Sequence, residues 1–352
     1  MNIAKQILMN IKKIAVVLLN YNGRKHLQTF LPSVVQHSAL PDVEIWLVDN
    51  ASQDDSVVFV QAEYPQIRIV QLDNNYGFSG GYNRGLKEIS ASYFVLLNTD
   101  VEVTDNWLSP IVEYLDNNQD VAACQPKILS YNEKSTFEHA GAAGGFIDYL
   151  GYPFCRGRII DTIEKDYGQY NNVIDVFWAT GACLFIRSEV FFETGGFDDN
   201  FFAHMEEIDL CWRLKTRGKR IACIPQSVVY HLGGGTLNKE NPHKTYLNYR
   251  NNLLMLYKNM PTKALKKALL MRFLMDYASA FVMLVSGKPH DAKAVVKARI
   301  DFKKIKKEYK TQRKENLEAS TMLVHEEICR KSLVFNYYLS KKKIFSDYFP
   351  EI

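Results

Sequence analysis

Hydrophobic and polar positions follow two alternating rhythms over the first 130 residues. Apolar runs at 14–19, 43–48, 67–72 and 93–97 have the length of strands and are bounded by polar or turn-forming residues. Between them, 24–37, 56–64 and 80–90 carry helical spacing. This βαβα alternation predicts a largely parallel sheet with helices on its faces. A further strand is expected at 121–129, then a loop-rich stretch over 130–173, then a strand from 174 towards 186 interrupted at Gly181. Helices are expected at 188–194 and 207–218, with Gly218 as a C-cap, and strands at 220–224 and 227–231 close the sheet. From 244 onward the pattern is helical, aromatic and basic. The expected organisation is therefore an α/β domain over 1–240 and a basic helical region over 241–352.

Two apolar runs need a decision about membranes. The run at 14–19 follows Lys12 and Lys13, as a secretory signal would, but it is six residues long and ends at Asn20-Tyr-Asn-Gly23, so it reads as a buried first strand. The stretch 268–286 is longer. Arg272 and Asp276 interrupt it at i and i+4, where they can pair on one helix face. Charges within a span are costly in lipid, which favours an amphipathic or protein-packed helix.

Charge sharpens the division of the chain. Residues 1–240 hold 20 basic and 29 acidic residues, net −9, whereas 241–352 hold 23 and 10, net +13. Residues 288–314 alone carry eleven Lys and Arg against three acids. Such asymmetry suits an anionic surface, and no nucleic-acid-binding module accompanies it. Six scattered cysteines without a CxxC pair read as reduced core residues of an intracellular protein.

Candidate chemistry gathers at strand ends, where open α/β sheets bind their ligands. The run at 93–97 ends in Asn98-Thr-Asp100-Val-Glu102, a place for a hard cation that arrives with a diphosphate. The first strand ends at Asn22-Gly23, a turn signal and a donor-side candidate. The second ends in Asp49-Asn50-Ala-Ser52-Gln-Asp54. Here Asp49 can accept from a base or ribose, while Ser52 or Asp54 caps the helix at Ser56. The segment 75–85 contains Gly77, Gly80, Gly81, Asn83, Arg84 and Gly85. It fits neither GxGxxG nor the P-loop, which disfavours a dehydrogenase or P-loop ATPase; Gly80 and Asn83 still allow a nucleotide to approach, and Arg84 can meet a phosphate. Glu206, Glu207 and Asp209 crowd one helix start, more acids than capping needs. His231 ends the last strand, before three glycines.

Taken in order, Asn20-Tyr-Asn-Gly, Val48-Asp-Asn-Ala-Ser, the 75–85 segment, Leu97-Asn-Thr-Asp, Gly196-Phe-Asp, Glu206-Glu-x-Asp-Leu-Cys-x-Arg and His231 resemble the family 2 glycosyltransferases of GT-A fold. The resemblance covers about residues 12–260 and is strongest to the rhamnosyltransferase-like branch, which acts on bacterial surface polysaccharides. It implies a mixed, mostly parallel Rossmann-like sheet flanked by helices. Asp49 resembles the acid that reads the nucleobase, and Asp100 the last acid of the metal-binding DXD motif, with Asn98 where the first Asp often stands. His231 resembles a late ligand of metal or diphosphate. Glu207 matches the catalytic base and Asp209 the acid that positions the acceptor.

The resemblance further implies Mn or Mg as cofactor, a dTDP- or UDP-sugar donor carrying rhamnose or a hexose, and inversion at the anomeric carbon. The Gln-x-x-Arg-Trp motif of processive members is absent, so one sugar per visit is expected. A polyprenyl-diphosphate-linked saccharide as acceptor would suit the basic C-terminal region, at the cytoplasmic face of an anionic membrane; a homodimer is compatible with this. Two rivals remain at this stage. One is a sugar nucleotidyltransferase, whose basic Gly-rich loop the Asn20-Tyr-Asn-Gly turn lacks; the other is an inactive scaffold on the same fold.

Overall fold

A computed structural model describes residues 13–233, 241–322 and 325–351. Lys12 and two of the glycines after His231, Gly234 and Gly235, lie outside them. Four strands form a parallel core: β1 (Ile14–Asn20), β2 (Val43–Asp49), β3 (Arg68–Gln71) and β4 (Tyr93–Leu97), in the order β4-β1-β2-β3. The short β5 (Val101–Val103) follows, then β6 (Val121–Ser130). Side chains of β1 and β4 alternate between two hydrophobic cores. Ala15, Val17, Phe94 and Leu96 face one; Ile14, Val16, Val95 and Leu97 face the other. A strand buried on both faces reads as a continuous apolar run, which is why these strands were visible in the sequence.

Helices α1 (Arg24–His37), α2 (Ser56–Glu63) and α3 (Gly77–Gly85) connect the parallel strands. The N-cap of α2 is Asp55, whose side chain makes no capping bond, and neither Ser52 nor Asp54 occupies that position; Asp54 accepts from the Ser56 amide at 3.1 Å. The segment 75–85 is helical from Gly77 onward. Its glycines sit in α3 itself, where a Cβ on Gly81 would lie 2.7 Å from Leu19 and one on Gly85 2.5 Å from Val48. They let the helix lie directly on β1 and β2. Gly85→Ala should therefore cost about 1–3 kcal/mol by overpacking, read as a lower urea midpoint; an unchanged midpoint would mean that β2 yields freely.

Two departures concern the middle of the chain. Residues 130–173 contain β7 (Gly145–Asp148), β8 (Pro153–Cys155), β9 (Arg158–Ile159) and β10 (Thr162–Ile163), which build a second small sheet. The expected strand from 174 is two: β11 (Ile174–Asp175) and β12 (Cys183–Arg187). The latter runs antiparallel between β4 and β6, making the main sheet mixed. After α4 (Ser109–Asn117), α5 (Ser188–Glu193) and α6 (Glu206–Thr216) comes one long strand, β13 (Arg220–His231), with a register shift between Ile224 and Val228 where two strands were expected.

The C-terminal part holds α7 (Pro242–Asn259), α8 (Thr262–Val285), α9 (Pro289–Ile305), α10 (Lys310–Glu318), β14 (Ile328–Cys329) and α11 (Leu333–Tyr338). The change in composition near 240 does not coincide with a gap in packing. β14 pairs with β7, and Phe345 and Phe349 stack against Phe146 and Phe154. α8 is long and apolar enough to cross a bilayer. Its Arg272 and Asp276 pair at 3.1 Å, as their spacing predicts, and Arg299 of α9 closes on the same carboxylate. That side of the helix is packed on protein. All six cysteines are buried and free.

Candidate active site

Strand ends and two loops converge on one face of the sheet. β13 pairs antiparallel with β5, setting His231 opposite Val101. This brings His231 Nε2 to 3.1 Å from Asp100 Oδ1 and 3.5 Å from Asn98 Nδ2. On its other side, Nδ1 lies 3.3 Å from Glu138 Oε2, an ion-pair distance without hydrogen-bond alignment. Burial alone would lower the His231 pKa; the Asp100 and Glu138 carboxylates outweigh it and push it up to about 10. In turn, burial would raise Asp100, but the hydrogen bond and charge of His231 hold it below the ordinary carboxylate range.

Asn98, Asp100 and His231 line a cavity of about 140 Å³ together with His204, Glu206 and Glu207. Three polar atoms of these last residues are buried and unpartnered: His204 Nε2, Glu206 Oε2 and Glu207 Oε2. Unsatisfied polar atoms facing one cavity are what a ligand would satisfy. The adjoining cavity, about 320 Å³, shares Phe78, Asn98, Asp100 and Ala203 with the first and extends over Asn22, His26 and Asn50. A large compartment and a small one thus meet at Asp100.

Glu207 opens α6. Burial raises its carboxyl from 4.5 to about 7, against the opposing pull of backbone hydrogen bonds. The sequence suggests a base fully ionised near neutrality; the cavity instead places its titration there. Glu206 beside it is pushed well above its ordinary value, by burial first and then by the charge of Glu207. The loop before them is held open by left-handed backbone at Phe202, His204 and Met205, with φ of 63°, 72° and 73°. Non-glycine residues adopt this only when surroundings impose it. Here Asn251 of α7 does so, donating to the carbonyls of Phe201, Ala203 and His204 at 2.9, 3.0 and 2.8 Å.

Other expected site residues fall elsewhere. Asp49 is 2% exposed and does not line the larger cavity, accepting from Asn20 Nδ2 at 2.9 Å and the Ser52 amide at 3.0 Å. Asn50 reaches the cavity wall, but its amide is committed to Asn75, Gly77 and the Tyr76 amide. Asn22 does border the cavity, its Oδ1 accepting from Gln53. Asn83 and Arg84 bind Asp199 at 2.6 and 2.9 Å, and Arg84 stacks on Tyr76. With Gly80 packed against Tyr76, they fasten the 197–199 loop and do not border either cavity. Asp209 is fully buried, between Arg213, Lys258 and Asn259. It faces away from the cavity because it lies on the inner side of α6. Glu138 joins the site without having been assigned from sequence, because it sits in the stretch that carries no periodic signal; Glu206, one of the three acids crowding its helix start, lines the cavity.

Residues 15–191, half of the chain, match the family model Glycosyl transferase family 2. The chain belongs to glycosyltransferase family 2. Relatives of this glycosyltransferase include the O-antigen biosynthesis protein RfbC of Myxococcus xanthus, 28% identical over 222 residues. That match covers 62% of this chain and only 17% of RfbC. The N-acetylglucosaminyl-diphospho-decaprenol L-rhamnosyltransferase of Mycobacterium tuberculosis is 25% identical over 61% of this chain and 75% of its own. Among solved structures, GalNAc-T7 with UDP, GalNAc and Mn2+ superimposes at a TM-score of 0.57, with 16% identity, over 86% of this chain and 57% of that one. Staphylococcus aureus TarS 1–349 with UDP-GlcNAc gives 0.53 and 14%, over 87% and 89%. These likenesses establish the GT-A fold of the glycosyltransferase.

Proposed function

We propose that this glycosyltransferase moves one sugar per visit, rhamnose or a hexose, from a nucleoside diphosphate to a saccharide carried on a polyprenyl diphosphate, with inversion. The observation that carries this is the gathering of Glu207 and the Asp100–His231 pair in the lining of one small cavity that shares Asn98 and Asp100 with a larger one. The larger compartment takes the nucleoside beside Asn22 and Asn50, while Asp49 holds the two strand ends together through Asn20 and Ser52. The smaller one takes the sugar.

Among the described residues no group of three metal-ligating side chains converges; Asp100 is the residue that would hold Mn or Mg, and His231, paired with Asp100 and Glu138, would join it only on giving up its proton. An ion held there would supply a Lewis acid for the departing diphosphate. Glu207, in the same cavity lining, removes the proton of the acceptor hydroxyl as it attacks the anomeric carbon. One base and one displacement invert that carbon. His204 and Glu206 border the space where the acceptor must lie, and Phe78 and Ala203 exclude water around the bond being broken.

The relative that acts on a decaprenol-linked sugar supports the lipid-linked acceptor and a role in bacterial surface polysaccharide synthesis. With it goes a location at the cytoplasmic face of the membrane, residues 1–240 as the transferase domain and 241–352 as the part that meets acceptor and membrane. A thermal-shift panel of nucleotide-sugars with Mn tests the donor, since a ligand selective for the native state raises its stability. Asp100→Ala is expected to abolish metal-dependent donor binding. Calorimetry showing equal donor affinity with and without Mn in the wild type would refute the metal's role.

A further inference from the structure

α8 is amphipathic in an inverted sense. Its buried stripe, Leu265, Ala268, Arg272, Asp276 and Ala280, carries the charges. The opposite face is apolar and open. Leu270 is 65% exposed, Leu274 58%, Phe281 65%, Val282 58% and Val285 66%. At 100° per residue these side chains lie on one side of the helix, about 36 Å long at 1.5 Å per residue. A continuous exposed apolar strip of this kind marks a docking surface.

Charge says what docks there. Asp276 is the only acid in α8, and it is buried against Arg272 and Arg299. The exposed face therefore has no negative group. It begins with Lys263, Lys266 and Lys267, all exposed, and Lys288 is exposed just beyond its end. Long basic side chains at the ends of an apolar strip keep their ammonium groups at the headgroup level while their stems lie along it. The buried Arg272–Asp276–Arg299 network makes insertion across a bilayer costly, so the helix lies on the surface.

We propose that the outer face of α8 docks this glycosyltransferase onto an anionic lipid leaflet, its apolar side chains entering the acyl boundary and its terminal lysines meeting lipid phosphates. The surface deepens the reading of a lipid-linked acceptor, on which it rests. It adds an apolar helix face to the membrane contact expected of the basic run at 288–314, most of whose lysines are exposed. Two members of that run, Arg299 and Arg313, are buried and committed to Asp276 and to the carbonyls of Tyr257 and Met260. Hydrogen bonds link the dock to the site. Arg272 donates to Asn252 of α7, whose neighbour Asn251 shapes the 201–204 loop.

The test is co-sedimentation of the full chain with vesicles of phosphatidylcholine alone or with phosphatidylglycerol, without substrates. Wild type is expected to bind the anionic vesicles more strongly. Leu274→Asp and Phe281→Asp, both at exposed positions, should each weaken that binding on the order of tenfold at unchanged melting temperature. Lys266→Glu/Lys267→Glu should remove the preference for anionic lipid. Equal binding by wild type and the Asp variants would overturn the proposal. So would a stable dimer in light scattering that Phe281→Asp dissociates, because a second copy would then cover the face. Hydrolysis of nucleotide-sugars with Mn, measured without vesicles, reports separately on the transferase reading.

Discussion

Glu207→Gln is expected to lower transfer by about 10²–10⁴-fold, the usual contribution of a positioned general base, while donor affinity measured by calorimetry stays within a few-fold of wild type. The substitution keeps the size of the side chain and removes its ability to take a proton. The pH profile of the wild type provides an independent check. Burial holds the Glu207 carboxyl near 7, above its ordinary 4.5. The active form is the carboxylate, so activity should rise with pH through about 7 and fall away below it, where the proton occupies the base. An ionised base with an ordinary pKa would instead give a flat profile from pH 5.5 upward. Near-normal turnover by the Gln variant would remove Glu207 from the reaction. Loss of turnover in Glu206→Gln with Glu207→Gln active would move the role to its neighbour, whose Oε2 also meets the cavity unpartnered.

What could be read from the chain beforehand was local. Arg272 and Asp276 pair as their spacing requires because four residues along a helix is a fixed distance. The strands that bury both faces were legible as apolar runs, and the acids beyond 97 marked their own strand end. The misreadings share one cause, a partner far along the chain. The glycines of 77–85 suggested room for a nucleotide, yet Gly81 and Gly85 answer to Leu19 and Val48. Arg84 looked available to a phosphate until Asp199 took it. Glu138 carries no signal at all, since it becomes part of the site only when β13 sets His231 beside it. Strands of two to four residues, such as β8 to β10, are too short to show alternation, so the second sheet read as loop.

The largest stability effect is expected at Asp209, which sequence motifs place in acceptor positioning and the fold places in the interior. Its carboxylate accepts from Lys258 Nζ at 2.8 Å, Arg213 Nε at 3.0 Å and Asn259 Nδ2 at 2.8 Å. Lys258 has no exposed side chain and also meets Asp198 at 2.7 Å. Burial would raise the Asp209 pKa, but Lys258 and Arg213 prevail and hold it below 3.8. A carboxyl lowered in this way stabilises the fold above the ordinary value and loses that contribution as pH falls towards the lowered one. Asp209→Ala leaves a buried ammonium short of one partner and should cost about 3–5 kcal/mol, on the order of 10 °C in melting temperature. Because Lys258 and Asn259 belong to α7, the loss should also expose the α6–α7 contact to proteolysis. Asp209→Asn combined with Lys258→Met, which removes both charges, should cost less than the sum of the single changes. The folded fraction of each variant should keep its acceptor KM, because Asp209 borders neither cavity. An Asp209→Asn variant that melts like wild type but shows a raised acceptor KM would return this residue to the acceptor site.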